Sequence, residues 1–333
     1  MHFFHLSDLH IGKQLYGYSL LEDQEWILTE IYELIREKRP DGVLIAGDVY
    51  DKSVPAAEAV TVFDRFLTKV SQLEPKIPVL IISGNHDSPE RLAFGAKILS
   101  RQQIYVAGTC PQIPEDHLKK VTFQDEWGET EVWMLPFVKP GYVRKLMEES
   151  KRETEIKVKN GWEEIRRDYN EAVKFLLERE QVDTEKRNIL ISHQFYTAGG
   201  ETPKTSDSET ISVGGLDQVD ISCLAPFSYV ALGHIHRPQS MGTVISTPKL
   251  EPVATHAIEN SITKQRITGE TPFYSFSLQM QGTDHCLLPP GICAQVNIIT
   301  GTIEVRTPNS GPPTIKNVRR PEGRNIFPTS EYS

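Results

Sequence analysis

Eight side chains in this sequence have the type and spacing needed to hold divalent cations: Asp8 and His10, Asp48, Asn85 and His86, His193, and His234 and His236. Each lies in a polar cluster that ends a short apolar run. The clusters read Ser7-Asp8-Leu9-His10, Gly47-Asp48, Gly84-Asn85-His86-Asp87, Ser192-His193 and Gly233-His234-Ile235-His236. Taken singly they are weak evidence, because Gly-Asp after a strand is an ordinary turn and a strand-end histidine is more often hydrogen-bonded than metallated. Together they mix imidazole nitrogens with carboxylate and amide oxygens and include no thiolate. That donor set suits Mn²⁺, Mg²⁺, Fe²⁺ or Zn²⁺ and not Cu(I) or an iron–sulfur cluster. The donors are too many for one ion, and two ions about 3.5–4 Å apart form the general device for phosphoester displacement. In Asp8-Leu9-His10 and His234-Ile235-His236, residues i and i+2 of an extended backbone point the same way, so each pair is expected to face one site.

Distant stretches of chain must come together to place these groups. The runs at 2–7, 42–46, 77–83, 188–192 and 229–232 are rich in β-branched residues and read as strands. Between them Ile27, Ile31, Leu34 and Ile35 fall at helical spacing, as do Val60, Phe63, Leu67 and Val70, and Ile165, Tyr169, Val173 and Leu176. These stripes are expected to be core. Strands alternating with helices predict an α/β fold, β-sheets flanked by helices, with the ligand groups gathered on one edge at the carboxyl ends of the strands. The mixed-charge run at 144–160 reads as a solvated helical face, and the glycine-bounded segment 197–215 as a long surface loop.

Composition narrows the function. The chain has 333 residues and a formal charge of −9, opposite to the footprint of a protein that grips duplex nucleic acid by bulk electrostatics. No apolar run approaches the roughly 20 residues of a membrane helix, and the amino-terminal stretch has no basic residues ahead of Asp8. A cytoplasmic location without membrane contact is therefore expected. Cys110, Cys223, Cys286 and Cys293 are scattered without a C-x-x-C pair and read as free thiols. After residue 242 the texture changes. The last 91 residues hold 10 of the 22 prolines, so any helix there is short, and only 272–278 and 295–305 read as strands. Two regions are expected, 1–242 with every ligand and an atypical Pro/Ser/Thr-rich region at 243–333.

The motifs D-x-H, G-D-x-x-D (Gly47, Asp48, Asp51), G-N-H-D, a lone strand-end His and G-H-x-H together resemble those of the calcineurin-like metallophosphoesterases. Within that superfamily the opening FFHLSDLHIGKQLYGYSLLEDQ, the stretch VLIAGDVYDKSVP, the loop GGETPKTSDSETISVGGLDQVD and the ending YVALGHIHRPQ are similar to the SbcD family of nucleases, over about residues 1–241. The resemblance implies that Asp8, His10, Asp48 and His236 hold one metal and that Asp48, Asn85, His193 and His234 hold a second. It implies two divalent ions, most often Mn²⁺. It gives His86 a catalytic role, assisting the leaving group or orienting the scissile phosphate. Asp87 is expected either to fix the His86 tautomer or to cap a helix, and Asp51 either to support the ligands or to cap the following helix. The implied activity is 3′→5′ exonuclease action on duplex ends and endonuclease action on single strands, in DNA repair, recombination and replication. The implied partners are DNA, an SbcC-like ATPase and a second copy of the chain. The family's carboxy-terminal ATPase-docking helices have no counterpart after residue 242, where Ser246-Thr247-Pro248 is the last echo of the family pattern. Two other readings stay open: a phosphoesterase acting on a small diester or a phosphoprotein, and a metal-free interaction scaffold on the same fold. His5 is expected to be packed, and His2, His117, His256 and His285 have no partners at metal spacing.

Overall fold

A computed structural model describes residues 1–15, 17–153, 168–198 and 217–235, together with five strands between 262 and 306. In chain order the first half runs β1 (Phe3–Leu6), β2 (Gln14–Leu15), β3 (Tyr18–Ser19), α1 (Leu21–Lys38), β4 (Gly42–Ala46), α2 (Ala57–Ser71), β5 (Val79–Ile82), α3 (Pro89–Leu92), α4 (Ala96–Leu99) and β6 (Ile104–Ala107). The second half runs β7 (Lys119–Asp125), β8 (Gly128–Leu135), α5 (Pro140–Glu153), α6 (Tyr169–Arg179), β9 (Arg187–Ser192), β10 (Phe195–Thr197), β11 (Gln218–Asp220) and β12 (Tyr229–Leu232). Beyond it lie β13 (Ile262–Ile267), β14 (Thr271–Phe276), β15 (Gln279–Gln281), β16 (Cys293–Asn297) and β17 (Thr302–Arg306).

Two sheets carry the fold. One has the order β13-β14-β1-β4-β5-β6 and the other β12-β9-β8-β7. In the first, β14, β1, β4, β5 and β6 run parallel; in the second, β12, β9 and β8 run parallel and β7 antiparallel. Every residue of β4 and β5 is buried. Such strands read as unbroken apolar runs because both of their faces are covered. One face packs on α1 and α2 through Ile31, Ile35, Val43, Ile45, Val62 and Phe66. The other meets the second sheet, where Leu44, Ala46, Leu80 and Ile82 pack against Val132, Met134, Ile189 and Ile191. The far face of the second sheet is covered by α5 and α6 through Val143, Leu146, Val173 and Leu176. The layers are helix, sheet, sheet, helix.

The expected single sheet edge is therefore an edge shared by two stacked sheets: β1, β4 and β5 end beside β9 and β12. The helical stripes stand with one correction. Val60 is 43% exposed, and α2 buries Ala59, Val62, Phe63, Phe66 and Val70 instead, a face rotated by about one residue. Ile165 lies outside the described residues. On α5 the ion pairs Arg144–Glu148 and Lys145–Glu149 line the expected solvated face, and residues 154–160 lie outside the described ones. Most of the expected loop, 199–215, lies outside them too. Both tail segments read as strands contain them, and β14 pairs with β1, so the first sheet takes strands from both sides of residue 242. Cys110 and Cys223 are free thiols. Among the described residues no helix is long and apolar enough to cross a membrane.

Candidate metal centre

Past the end of the first sheet, the β1 and β4 loops continue side by side. Asp8 N donates to Gly47 O at 3.0 Å, His10 N to Asp48 O at 2.9 Å and Ile11 N to Val49 O at 2.9 Å. The backbone there is not extended as expected. Asp8, His10 and Asp48 take φ of 54°, 42° and 48°, and His234 takes 81°. Left-handed geometry at non-glycine residues is costly and persists where surrounding structure enforces it, often at functional sites. The loop at 9–12 is further held by Gln24 of α1, whose Nε2 donates to His10 O at 2.8 Å and whose Oε1 accepts from Gly12 N at 2.9 Å.

Asp48 sits at the centre. Its Oδ1 accepts from His86 N at 2.8 Å, and its Oδ2 lies 3.6 Å from His10 Nε2 and 3.3 Å from His193 Nε2. A Cβ on Gly84 would collide with the Asp48 carboxylate, and one on Gly233 would collide with the His193 ring and Ala46 O, so both motif glycines are required by close approach. Candidate ligand atoms fall into two groups, each within 4.8 Å: His10, Asp48 and His86, and Asp8, Asp48 and His193. Asp48 is common to both. Asn85 Oδ1 lies 3.1 Å from His193 Nε2 and 3.0 Å from His234 Nδ1, which brings Asn85 and His234 to the His193 side. The His193 Nδ1 donates to Ala46 O at 2.6 Å, which leaves Nε2 directed at the carboxylates. His234 N donates to both oxygens of Asp8, at 3.0 and 3.2 Å. His236 lies outside the described residues.

The electrostatics are those of a site built for positive charge. Burial pushes the Asp8 carboxyl up to about 6, with the Asp48 charge adding to the rise and His193 opposing it. Burial would also raise Asp48, but the His193, His10 and His86 imidazoles outweigh it and hold that carboxyl well below the usual range. Burial would lower His193, yet the Asp48 and Asp8 carboxylates outweigh it and push the imidazole up to about 9. Buried carboxylates drawing protons onto neighbouring imidazoles mark a place where cations fit. The mixed N/O donors, grouped in two sets around one shared carboxylate, match a pair of divalent ions.

For Asp87 the expectation changes, and for Asp51 the structure favours one of its two alternatives, a place beside the candidate ligand residues. Asp87 neither fixes the His86 ring nor caps a helix; Ser88 holds the N-cap position of α3. Its carboxylate accepts from Val49 N at 3.1 Å, Tyr50 N at 2.9 Å and Gly84 N at 2.9 Å, and so clamps the β4 and β5 loops together. The His86 ring is oriented by the Asp51 carbonyl, 2.9 Å from Nδ1. Asp51 does not cap α2, whose N-cap is Ala56, and its carboxylate stands 3.7 Å from His10 Nδ1. His86 is exposed, whereas His10 and Asp48 are buried, so His86 stands at the mouth. Reading the sequence missed Gln24 and the clamp formed by Asp87. The one signal for Gln24 was a polar residue at helical spacing from Ile27, Ile31 and Ile35. His5 is packed as expected, with Nδ1 3.2 Å from the Tyr229 hydroxyl. His117 pairs with Glu180 at 3.1 Å, and His256 and His285 lie outside the described residues.

Residues 1–238 match the family model for calcineurin-like phosphoesterases, and the chain belongs to that family. It is 34% identical over 240 residues to SbcD of the SbcCD nuclease from Staphylococcus epidermidis, a match that covers 71% of this chain and 57% of that protein. The chain thus spans little more than half the length of this relative. Among solved structures, a phosphopantetheinyl hydrolase from Mycobacterium tuberculosis is 14% identical with a TM-score of 0.36, covering 82% of this chain and 88% of the other. A dimetal phosphatase from Danio rerio is 10% identical with a TM-score of 0.40, covering 87% and 94%.

Proposed function

We propose that this chain is the nuclease component of an SbcCD-like assembly, hydrolysing DNA phosphodiesters with two divalent ions, Mn²⁺ foremost. The activities proposed are 3′→5′ exonuclease on duplex ends and endonuclease on single strands, in cytoplasmic DNA repair, recombination and replication. The observation that carries this reading is the Asp48 carboxylate, common to two groups of candidate ligand atoms drawn from both sheets, although in the structure Asp8 falls in the His193 group and His86 stands beside His10. The residues proposed for one ion are Asp8, His10, Asp48 and His236, and for the other Asp48, Asn85, His193 and His234. When bound, the ions supply the Lewis acidity that activates water and offsets charge on the phosphoryl oxygens. The protein's share is to hold them and to supply a proton. With Nδ1 donating to the Asp51 carbonyl, Nε2 is the His86 ring nitrogen left to serve the departing 3′-oxygen as general acid.

The test is cleavage of end-labelled linear and hairpin DNA with Mn²⁺, before and after chelation, beside bis-p-nitrophenyl phosphate. Loss of all cleavage on chelation supports the reading, and hydrolysis of the small diester without DNA cleavage overturns the choice of substrate. His86→Ala is expected to lower cleavage by about 10²–10⁴-fold while calorimetry still counts two Mn²⁺ per chain. Every proposed ligand precedes residue 242, so residues 243–333 are proposed to supply no ligand, although β14 from that region extends the first sheet beside β1. SbcC-like ATPase coupling is the remaining proposed partnership. Phe94 and Ile98, 86% and 72% exposed just beyond His86, are proposed as the contact for a second copy of the chain. Replacing both with Ser is expected to halve the mass seen by light scattering and to leave metal binding unchanged.

A further inference from the structure

We infer that Phe137 is the stacking platform for a nucleobase flanking the scissile phosphate; the inference rests on the nuclease reading above and adds the part of the substrate the protein recognises. Phe137 follows β8, and its backbone N donates to Ser83 O at 2.9 Å, directly ahead of Gly84-Asn85-His86-Asp87. Its neighbours Pro136 and Val138 are buried, but Phe137 itself is only half-buried. The ring lies beside the ligand histidines, with centroids 6.1 Å from His234 and 6.4 Å from His193. Tyr169 backs it at 6.1 Å, and Phe195 stands 6.1 Å from His234 on another side.

Phe137 keeps part of its ring in solvent at the rim of a charged centre, while its neighbours Pro136 and Val138 are buried. That ring gains from a flat partner. A phosphate seated over Asp48 and His193 brings its attached nucleoside within reach of that rim, and a base stacked on an aromatic ring is held whatever its identity. Two residues further on, Lys139 is exposed, its Nζ 5.9 Å over the ring of the exposed Tyr142. Basic and aromatic groups in series are the usual track for a single strand.

The test uses Phe137→Leu, which keeps apolar bulk without a ring face, and Phe137→Trp, which keeps the face. With a single-stranded oligonucleotide and Mn²⁺, the Leu variant is expected to raise KM on the order of 10-fold with kcat little changed. An oligonucleotide abasic on both sides of the scissile phosphate is expected to show no such difference. The Trp variant is expected to restore the wild-type KM. Without turnover, fluorescence added by the new Trp over the wild-type background is expected to be quenched by deoxyadenosine monophosphate and not by deoxyribose 5-phosphate. Equal losses on the base-bearing and abasic substrates, no loss on either, or equal quenching by both ligands would overturn the assignment. Failure of the wild type to cut any DNA would instead sink the nuclease reading, and the quenching experiment would still decide the role of Phe137.

Discussion

Asp87 completes the Gly-Asn-His-Asp motif yet contributes no ligand; its three bonds to backbone N–H groups hold the loops that carry Asp48 and Asn85. Residues of this kind are invisible in sequence because their partners are main-chain atoms of remote segments, fixed only once the sheets assemble. Gln24 is similar, a side chain on α1 whose work is done on the loop at 9–12. Asp48, Asn85, His193 and His234 were legible because their types are those a divalent ion requires and each ends a strand. His5 shows the opposite case, a histidine near the site with a purely structural role. Burial pushes its imidazole down to about 4, with a bond to the Leu232 backbone opposing, and the group facing it is the Tyr229 hydroxyl. Because that value lies below the ordinary 6.5 of the unfolded chain, the unfolded state binds more protons between the two. His5 therefore leaves stability intact above pH 6.5 and erodes it as pH falls toward 4, by roughly 3 kcal/mol at the limit. Denaturant unfolding from about pH 7.5 to about pH 4.5 is expected to show a steeper loss in the wild type than in His5→Gln. Parallel curves would mean that His5 does not carry the effect.

At the level of elements, α2 shows what periodicity can and cannot decide. The helix carries Val60, Val62, Phe63, Phe66, Leu67 and Val70, and two faces fit helical spacing equally well. Its rotation is fixed by close approach. Ala59 is fully buried, and its Cβ lies where a Cβ on Gly12 would touch it at 3.1 Å, so the small residue must face the β1 loop. Val62→Ala is accordingly expected to cost roughly 1–3 kcal/mol in urea unfolding. Val60→Ala should stay within about 0.5 kcal/mol of the wild type. The strands were easier to read. Runs such as Val79–Ile82, buried on both faces, have no polar alternative, and their ends coincide with the proposed ligands. The turns after β1 and β4 were not legible, because left-handed φ at Asp8, His10 and Asp48 follows from pairing between the two loops and not from local preference.

Across the whole molecule, the helix–strand alternation gave the α/β class but not the division into two stacked sheets, which depends on which strands pair. That division matters for stability. On the proposed ligand set, ions held by groups from both sheets would add to the apolar packing and to the cross-sheet hydrogen bonds, such as Phe137 N to Ser83 O and His193 to Ala46 O, that already join the layers. A ligand that binds the folded state alone stabilises it by mass action, about 2.7 kcal/mol at a hundred times its dissociation constant. The melting temperature is therefore expected to climb with added Mn²⁺ and to fall on chelation, and in Asp48→Asn to respond far less. A wild-type midpoint indifferent to Mn²⁺ would speak against a centre spanning both sheets.

The order of the chain adds a temporal consequence. A ribosome releases Asp8 and His10 at the outset, but His193 and His234 emerge only after most of both layers has been made. On the proposed ligand set, a nascent chain carries half a centre for much of its synthesis, and the centre closes only once β12 and the residues just after it have docked, so the order of assembly itself would keep an unfinished hydrolase harmless.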